Sequence, residues 1–309
     1  EGNPNIDTII RFNEKHRKSK KELLKLALEI RANNYDLLID AYSKLESWLI
    51  VLLSGAKRKI SYSKKGRTFL YTDNVPFEAS PKTNLGLAIE RRLSLLQPLQ
   101  LAIEIDPIPK LFVTNEENHQ AITLFEKHQI KKDRKTVMIS LLGSESLKTY
   151  PLKYIAKIVD YIADNQDVNI LFNYFPKQIK DAKIVFDNCK TSTQEKIYFD
   201  LLGNDIRSFI AIMNNCDLII GNDGGAINMA KALGKPSFII FSPWIEKKIW
   251  ATLEDGVQHV SVHLNDFKSE LVSQKTEKEL KKSALLLYEE FEPELFKDKI
   301  KLFLNQNLK

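Results

Sequence analysis

Apolar and polar residues repeat with two different spacings along the first part of the chain. Stretches with apolar residues three and four positions apart predict helices, and they are residues 19–33, 43–55 and 84–96. Short apolar runs predict strands, and they are residues 7–11, 35–40 and 57–62. The sequence Thr-Asn-Glu-Glu at 114–117 has the form of a capping box and predicts one more helix. This part of the chain therefore alternates strands with helices.

A second alternating series follows a charged connector, QIKKDRKT (residues 129–136). The predicted strands are 136–142, 168–173, 196–201, 217–220 and 236–241. The predicted helices are 151–165, 177–187, 205–215, 224–233, 277–290 and 293–306. These strands are apolar on both faces, as parallel strands covered by helices must be. We therefore expect an α/β fold in which two doubly wound Rossmann-like domains, residues 1–130 and 131–290, face each other across a cleft.

The composition is that of a globular protein and narrows the setting. The 309 residues are 43% hydrophobic and 28% charged, with no signal peptide or membrane-spanning run in the sequence. Cys189 and Cys216 are too far apart in sequence to suggest a disulfide framework or a zinc site, which favours the cytoplasm. The net charge of +6 favours anionic partners such as phosphorylated metabolites, lipid head groups or nucleic acid, although many basic proteins are simply soluble.

The stretch GNDGGAINMAKALGKP, residues 221–236, places an acidic residue and two glycines where a strand ends and a helix begins. We expect Asp223 to cap the helix, and Gly224 and Gly225 to let a ligand approach the free N–H groups of the first turn. Those groups and the helix dipole favour a phosphate. The carboxylate would repel phosphate, so a phosphate cradle alone does not explain the stretch. A capped crossover helix without a ligand is the alternative.

Two other predicted strand ends carry residues suited to the same ligand. In SLLGSESLKTYP, Gly143 and Ser144 offer hydrogen-bond donors and Lys148 offers a positive charge. Trp244, after the last predicted strand, is placed either to stack on a base or sugar or to pack on its own domain. The sequence has no Asp-x-Asp pattern and no His/Cys cluster, and its five histidines are scattered and expected to be solvated. A site without a metal is the expectation.

Basic residues cluster in the first domain. Six of them lie in SGAKRKISYSKKGRTF, and Arg91 and Arg92 follow on a predicted helix. Such runs usually form solvated faces, but they also suit an anionic acceptor. They lack the interleaved aromatic residues of a nucleic-acid stacking platform, which disfavours nucleic acid as the partner.

Three of these stretches together resemble glycosyltransferase family 9, the heptosyltransferases of lipopolysaccharide core assembly. CDLIIGNDGGAINMAKALGKPSFIIFSP is similar to the family's donor signature, Asp-Thr/Ser-Gly-x-x-His-x-Ala-Ala-Ala-Leu-Gly-x-Pro. SLLGSESLKTYP resembles the strand and Lys-x-Trp-Pro that begin its nucleotide-sugar domain. NYDLLIDAYSKLESWLIVLLSGAKRKISY resembles its Tyr-Asp-x-x-Ile-Asp pattern, with a helix and Ser-Gly-Ala-x-x-Arg-Ile-Gly behind it.

The resemblance implies a GT-B-like fold and an inverting, metal-independent transferase. It would move heptose or a related sugar from a nucleoside-diphosphate donor, ADP-heptose first, to a glycolipid of the lipopolysaccharide core, with no cofactor besides that donor. The implied donor residues are Gly143, Ser144, Lys148, Asp223, Gly224, Gly225 and Asn228, and the implied acceptor residues are Arg58 and Arg91. The last helices, residues 291–309, would pack back on the first domain. Such a protein acts in the cytoplasm, with peripheral contact to the inner membrane.

The chain departs from the family pattern at three points. Gly224 and Asn228 stand where the family has Thr and His, and LFNYFPKQIKD has no clear equivalent of the Glu that reads the ribose. The family's first strand and loop, which carry the acidic catalytic base, would precede Glu1. The catalytic residue is therefore unknown, and the first domain is expected to be incomplete. A catalytically degraded nucleotide-sugar-binding module of the same fold is the alternative function.

Overall fold

Parallel strands joined by helices build both halves of the chain, which confirms the expected α/β class. The computed structural model describes residues 2–309. They divide into two units. The first consists of Asn3–Pro107 and Lys248–Thr252, and the second of Gly2, Ile108–Lys247 and Leu253–Lys309.

The first unit contains a three-stranded parallel sheet with the strand order β1-β2-β3. Its strands are β1 (Leu37–Asp40), β2 (Arg58–Tyr62) and β3 (Asp73–Val75). Its helices are α1 (Glu14–Lys18), α2 (Lys20–Ala32), α3 (Leu45–Leu53) and α4 (Leu87–Ser94). Residues 7–11 were expected to be a strand but are irregular, because this apolar run has no neighbouring strand to bond with.

The end of β1 is held by the buried side chain of Asp40. Its Oδ1 accepts the N–H of Ser43 at 2.7 Å, and its Oδ2 accepts the hydroxyl of Tyr71 at 2.7 Å and that of Ser47 at 2.8 Å. Burial raises the pKa of Tyr71 to about 12, and the hydrogen bond to Asp40 acts in the same direction. This strand end is therefore closed by the chain's own groups.

The second unit contains a six-stranded parallel sheet with the strand order β6-β5-β4-β7-β8-β9. Its strands are β4 (Lys135–Ser140), β5 (Val168–Asn173), β6 (Ile197–Tyr198), β7 (Leu218–Asn222), β8 (Ser237–Ile240) and β9 (His259–Val262). Its helices are α5 (Asn115–Lys127), α6 (Leu152–Asn165), α7 (Ile179–Asn188), α8 (Thr191–Gln194), α9 (Ile206–Asn214), α10 (Gly225–Ala232), α12 (Glu277–Lys282), α13 (Ala284–Glu289) and α14 (Lys297–Asn307). The short helix α11 (Lys247–Trp250) lies mostly in the segment that belongs to the first unit. The strand order reverses between β4 and β7, which is where ligands bind in open sheets of this kind.

The boundary between the units lies after Pro107 and not, as predicted, after residue 130. The capping box at Thr114 is confirmed, and it begins α5, which packs on α9 of the second unit. Arg207 of α9 donates from Nε and Nη2 to the carboxylate of Glu117 in α5, both at 2.6 Å. Its guanidinium lowers the pKa of Glu117 to about 2. This ion pair joins α5 to the second unit.

The C-terminal segment 291–309 lies in the second unit and not, as predicted, on the first. Phe296 and Phe303 pack against Phe238 of β8, with ring centroids 6.1 and 5.6 Å apart. Phe291 packs against Tyr150 at 5.7 Å. Ile300, Phe303 and Leu304 of α14 are buried in the core of this unit, which explains why the segment belongs to it.

The structure also contains elements that the spacing of apolar residues did not predict. β3 lies between the predicted strand 57–62 and the predicted helix 84–96, where no element was predicted, and β9 is a short strand at the edge of its sheet. The predicted helix 277–290 is two helices, α12 and α13, which meet at Ser283. β3 has three residues and β9 has four, and strands this short leave a weak sequence pattern.

Candidate functional site

The loops after β4, β7 and β8 lie next to each other because these parallel strands are neighbours in the sheet. The carboxyl ends of parallel strands meet at one edge, and the loops that follow them share that edge. This edge therefore brings together the three stretches that the sequence singled out: residues 141–150, 223–225 and 241–244.

Asn222, the last residue of β7, ties the first two loops together. Its fully buried side chain accepts the N–H of Tyr150 at 2.6 Å and donates to the carbonyl groups of Leu141 at 2.7 Å and Ser140 at 3.1 Å. All polar atoms of this amide are used by the fold. Sequence analysis did not foresee this role, because the partners lie about 70 to 80 positions away along the chain.

A second tie joins the β8 loop to the β4 loop. The carbonyl oxygen of Leu147 accepts a hydrogen bond from Ser242 Oγ at 2.7 Å and another from Trp244 Nε1 at 2.9 Å. The indole therefore packs on its own unit, which was one of the two alternatives expected for Trp244. Its ring lies beneath Lys148, whose Nζ is 5.3 Å from the ring centroid. Lys148 is thus held at the edge by its aromatic neighbour.

The glycines of GNDGG have different structural roles. Gly221 has a φ of +139°, and a Cβ there would clash with the carbonyl of Ser140 in the adjacent strand, so the fold requires glycine. Gly224 has an extended backbone, with a φ of 167°, and a Cβ there would meet nothing within 4 Å. A Cβ on Gly225 would only just reach Met229, at 4.0 Å. The described chain therefore gives no packing reason for either glycine.

Asp223 does not cap α10 in the way that we predicted. The N-cap residue is Gly224, which has no side chain to accept from the first turn. The backbone N–H of Asp223 is still bonded to the carbonyl of Ile240, at 3.3 Å, so the residue continues the line of the strand. The N–H groups that begin α10 therefore lack a side-chain cap.

The carboxyl group of Asp223 is half-buried among cations. Burial raises its pKa above the ordinary value, while Lys148, Lys231 and a hydrogen bond from the N–H of Gly224 act in the opposite direction. Lys148 itself forms no ion pair with any carboxylate of residues 2–309, and its side chain is partly exposed. An acid and a lysine with capacity for further contacts therefore face each other at this edge.

The remaining predicted donor residues lie on the same loops. Ser144 is exposed, and Asn228 is exposed one turn into α10, where its Nδ2 donates to the carbonyl of Gly224 at 3.3 Å. Gly143 is buried, and a Cβ there would clash with the carbonyl of Lys148, so glycine is needed to fold this loop. The structure thus collects all seven residues at one edge, and their binding roles stay predictions.

Lys231 and His259 form a buried polar group behind this edge that sequence analysis missed. Burial lowers the pKa of Lys231 to about 8, against the opposing effect of Glu254, Asp223 and Asp255. Burial also lowers the pKa of His259 to about 4, and the charge of Lys231 adds to that effect. The spacing of Lys231, four residues after the buried Ile227, is the sequence signal that it lies on the inner face of α10.

The histidines were expected to be solvated, which is wrong for three of them. His16, His259 and His263 are buried, and their relative exposures are 7%, 8% and 5%. The Nδ1 of His259 lies 3.0 Å from Ser237 Oγ, so the imidazole has a partner within the sheet. A histidine flanked by apolar residues at strand spacing is better read as a core residue.

The two predicted acceptor arginines lie in the first unit and are engaged by its own groups. Arg58 donates from Nε and Nη2 to the carboxylate of Asp73, at 3.0 and 3.1 Å, and from Nη2 to the carbonyl of Pro98. Arg91 donates from Nε and Nη2 to the carbonyl of Glu78, at 2.8 and 2.5 Å, and its Cζ lies 3.8 Å from the centre of the Phe77 ring. Their acceptor role stays a prediction.

Two surface cavities of the second unit lie at opposite edges of its sheet. A cavity of about 310 Å³ adjoins the β4 loop, and Ser144, Thr149, Gln178 and Asp181 are among the residues that line it. A larger cavity, of about 420 Å³, lies where β4 begins. Its charges are largely paired within the chain, as in the contacts Lys132–Glu126 and Lys135–Asp217. We assign the candidate site to the smaller cavity and the adjoining loops.

Residues 2–309 include no helix with the length and apolar character needed to cross a bilayer.

Comparison with known proteins identifies relatives that match most of the chain. The family glycosyltransferase family 9 (heptosyltransferase) matches residues 23–281. A lipopolysaccharide heptosyltransferase 1 from Campylobacter coli is 26% identical over 244 residues, which cover 72% of this chain and 66% of that protein. The matched region is therefore slightly less than two thirds of that relative's length.

Solved structures show the same fold. A family 9 glycosyl transferase from Veillonella parvula matches with a TM-score of 0.69 and 16% identity, over 93% of this chain and 84% of that one. The ADP-heptose lipopolysaccharide heptosyltransferase II of E. coli matches with a TM-score of 0.60 and 17% identity, over 88% and 82%. The E. coli heptosyltransferase WaaC with ADP-2-deoxy-2-fluoro heptose matches with a TM-score of 0.54 and 14% identity, over 80% and 74%. These likenesses confirm the predicted GT-B-like fold class.

Proposed function

Because the chain belongs to glycosyltransferase family 9, we propose that this protein is a transferase that takes its sugar from a nucleoside-diphosphate donor. The proposed sugar is heptose or a related one, and the proposed acceptor is a glycolipid of the lipopolysaccharide-core type. The donor site is the edge of the six-stranded sheet formed by the loops after β4, β7 and β8. The resemblance of the sequence to the family signature and the geometry of this edge both support the proposal.

The observation that carries the proposal is the open start of α10. Gly224 and Gly225 leave the N–H groups of the first turn without a side-chain cap and without a Cβ in the way. N–H groups at a helix start, together with the helix dipole, bind phosphate oxygens well. Lys148 lies at the same edge with no ion pair inside residues 2–309. A diphosphate is the ligand that uses all these groups together.

In this proposal Asp223 binds the sugar and the neighbouring groups bind the diphosphate. A carboxylate accepts hydrogen bonds from sugar hydroxyls, and Lys148 and Lys231 favour its charged form. When the acceptor hydroxyl gives its proton to a general base and attacks the anomeric carbon, the bond from that carbon to the diphosphate oxygen breaks on the opposite face. Lys148 and the first-turn N–H groups then stabilise the negative charge that develops on the departing diphosphate. This arrangement supplies positive charge without a resident metal ion.

The proposed nucleotide is ADP. The solved relatives of this fold include heptosyltransferase structures with ADP and with an ADP-heptose analogue. The proposed setting is the cytoplasm, with peripheral contact to the inner membrane, where a chain of net charge +6 is attracted by anionic head groups.

A calorimetric titration with ADP, GDP and UDP tests the site. We expect ADP to bind most tightly, and Lys148→Ala to weaken ADP binding by about 10- to 100-fold, because it removes a charge-assisted contact. Lys301→Ala is the matched control, since that lysine is exposed on α14. If none of the three nucleotides binds, or if Lys148→Ala binds ADP as the wild type does, the proposed site is wrong.

Transfer separates an active enzyme from a degraded binding module of the same fold. Gly224 and Asn228, which replace the family's Thr and His, favour the second function. We expect a mass increase of one heptose on a lipopolysaccharide-core acceptor incubated with ADP-heptose and the protein, equal with and without EDTA. Tight ADP binding without transfer would support the binding module, and loss of transfer in EDTA would contradict the metal-independent mechanism.

A further inference from the structure

Two lysines from distant parts of the chain share the ring of Trp244. Lys148, in the β4 loop, places Nζ 5.3 Å from the ring centroid, and Lys281, in α12, places Nζ 4.4 Å from it. The ring is fixed by the hydrogen bond from its Nε1 to the carbonyl of Leu147. Both ammonium groups therefore lie within 5.3 Å of the centre of one ring, in the loop after β8.

The chain presents Lys281 from a well-anchored helix. Thr276 begins α12 with a complete capping box to Glu279, and Leu280, beside Lys281, is buried. Lys281 itself is exposed. Within residues 2–309 it forms no ion pair, although Glu277 lies one turn earlier on the same helix. The aromatic ring, and not a carboxylate, is its neighbour.

Two unpaired cations beside one ring repel each other, and a shared anion would remove that cost. A cation over an aromatic face keeps its charge and most of its capacity to donate hydrogen bonds. Asp223 supplies one negative charge near Lys148, which leaves Lys281 without a counter-charge of its own. The edge therefore has positive charge beyond what one phosphate group in contact with Lys148 would use.

We propose that Lys281 is a second cation for the diphosphate of the donor, so that the lysine pair on Trp244 selects a nucleoside diphosphate over a monophosphate. This inference rests on the proposed function and adds a specificity residue to it. A diphosphate gains a further negative charge as it leaves the sugar, so a second cation favours departure as well as binding. Trp244 acts as the spacer that keeps the two ammonium groups apart and in place.

The test compares ADP with AMP in two neighbouring lysine variants. Lys281→Ala should weaken ADP binding about fivefold and AMP binding by less than about twofold, because AMP lacks the second phosphate. Lys282→Ala, on the next and also exposed residue of α12, should change neither. Lys281→Arg should retain tight ADP binding, since it keeps the charge. Unchanged melting of each variant will show that α12 still folds.

The outcomes separate this inference from the function on which it rests. If the wild type fails to bind ADP, the proposed function is wrong. Suppose that the wild type binds ADP and that Lys148→Ala weakens this binding. If Lys281→Ala then prefers ADP over AMP by the same ratio of dissociation constants as the wild type, only the proposed role of Lys281 is wrong. Equal weakening by Lys281→Ala and Lys282→Ala would also contradict it, because it would indicate a general effect of surface charge.

Discussion

Charged residues are paired with groups of the chain in the first unit, whereas Lys148 at the edge of the six-stranded sheet has no carboxylate partner among residues 2–309. In the first unit, Arg58 is bonded to Asp73, Arg91 to the carbonyl of Glu78, and Asp40 to three groups around it. At the edge of the second unit, Lys148 has an aromatic ring but no carboxylate within ion-pair distance among residues 2–309. A charge near a strand end is thus a sign of a binding site only when the fold leaves its hydrogen-bonding capacity unused.

The same contrast occurs within five residues of one loop. Gly221 and Asn222 are required by backbone conformation and by buried hydrogen bonds. Gly224 and Gly225 have open space where a Cβ would be. The fold therefore explains the first half of GNDGG, and the proposed donor site is our explanation for the second half.

The largest expected effect comes from Gly221→Ala. The new Cβ would clash with the Ser140 carbonyl, and its φ of +139° is unfavourable for any L side chain. We expect a loss of at least about 3 kcal/mol in the free energy of unfolding. Urea denaturation followed by circular dichroism measures it.

Gly225→Ala is the matched variant in the same loop. Alanine should leave the free energy of unfolding unchanged or raise it by up to about 1 kcal/mol, because glycine is the weaker helix former. ADP binding should nevertheless fall, since the methyl group lies where the phosphate approaches. Equal destabilisation by both substitutions would remove the contrast between the two halves of the loop.

An effect of up to about 3 kcal/mol, next in size to that of Gly221→Ala, is expected from pH through the buried polar group of Lys231 and His259. Burial lowers the pKa of His259 from 6.5 to about 4, with Lys231 acting in the same direction and Asp255 against it. Between these two pH values the unfolded chain binds the proton and the folded chain does not, so stability falls as the pH falls from 6.5 to 4. The loss is up to about 3 kcal/mol and is complete below pH 4.

His259→Gln should remove this part of the pH dependence. The free energy of unfolding of the variant, relative to the wild type, should rise as the pH is lowered through that window. His119→Gln, at an exposed histidine, is the control and should follow the wild type. If the free energy of unfolding of His259→Gln and of the wild type changed with pH in parallel, the imidazole would be protonated within the fold. The buried group of Lys231 and His259 would then be less well packed than the structure indicates.

Sequence patterns predicted the helices and strands well, but they predicted the hydrogen-bond partners of individual polar groups less well. The strand 168–173 was predicted with the bounds of β5, and the order of elements around β4, β7 and β8 located the candidate edge. These signals are local, because spacing of apolar residues reflects one element at a time. The prediction that Asp223 caps α10 was wrong, since its N–H is bonded to the carbonyl of Ile240 in β8 and the helix begins one residue later, with Gly224 as its N-cap.

The other contacts that were not predicted join residues that are remote from each other along the chain. The ties of Asn222, the pairing of Arg58 with Pro98 and the contacts of Lys148 and Lys281 with the ring of Trp244 all join residues at least 37 positions apart. Nothing in the spacing of a single helix or strand reports such a contact. The residue types at the candidate site were therefore predictable, and their hydrogen-bond partners were not.

The smallest expected effect is that of Arg91→Lys, which tests whether the charged residues of the first unit have a structural role. Arg91→Lys keeps the positive charge but loses the two-nitrogen contact with the carbonyl of Glu78 and the contact of the guanidinium with the Phe77 ring. If Arg91 is a structural clamp, the free energy of unfolding should fall by about 1 kcal/mol in a urea titration. Arg92→Lys should have no effect, because within residues 2–309 the side chain of Arg92 donates only to the carbonyl of Ala88 in its own helix. A variant that keeps full stability but transfers sugar more slowly at low acceptor concentration would instead make Arg91 an acceptor residue, and the contrast between the two sheets would then lose one of its three cases.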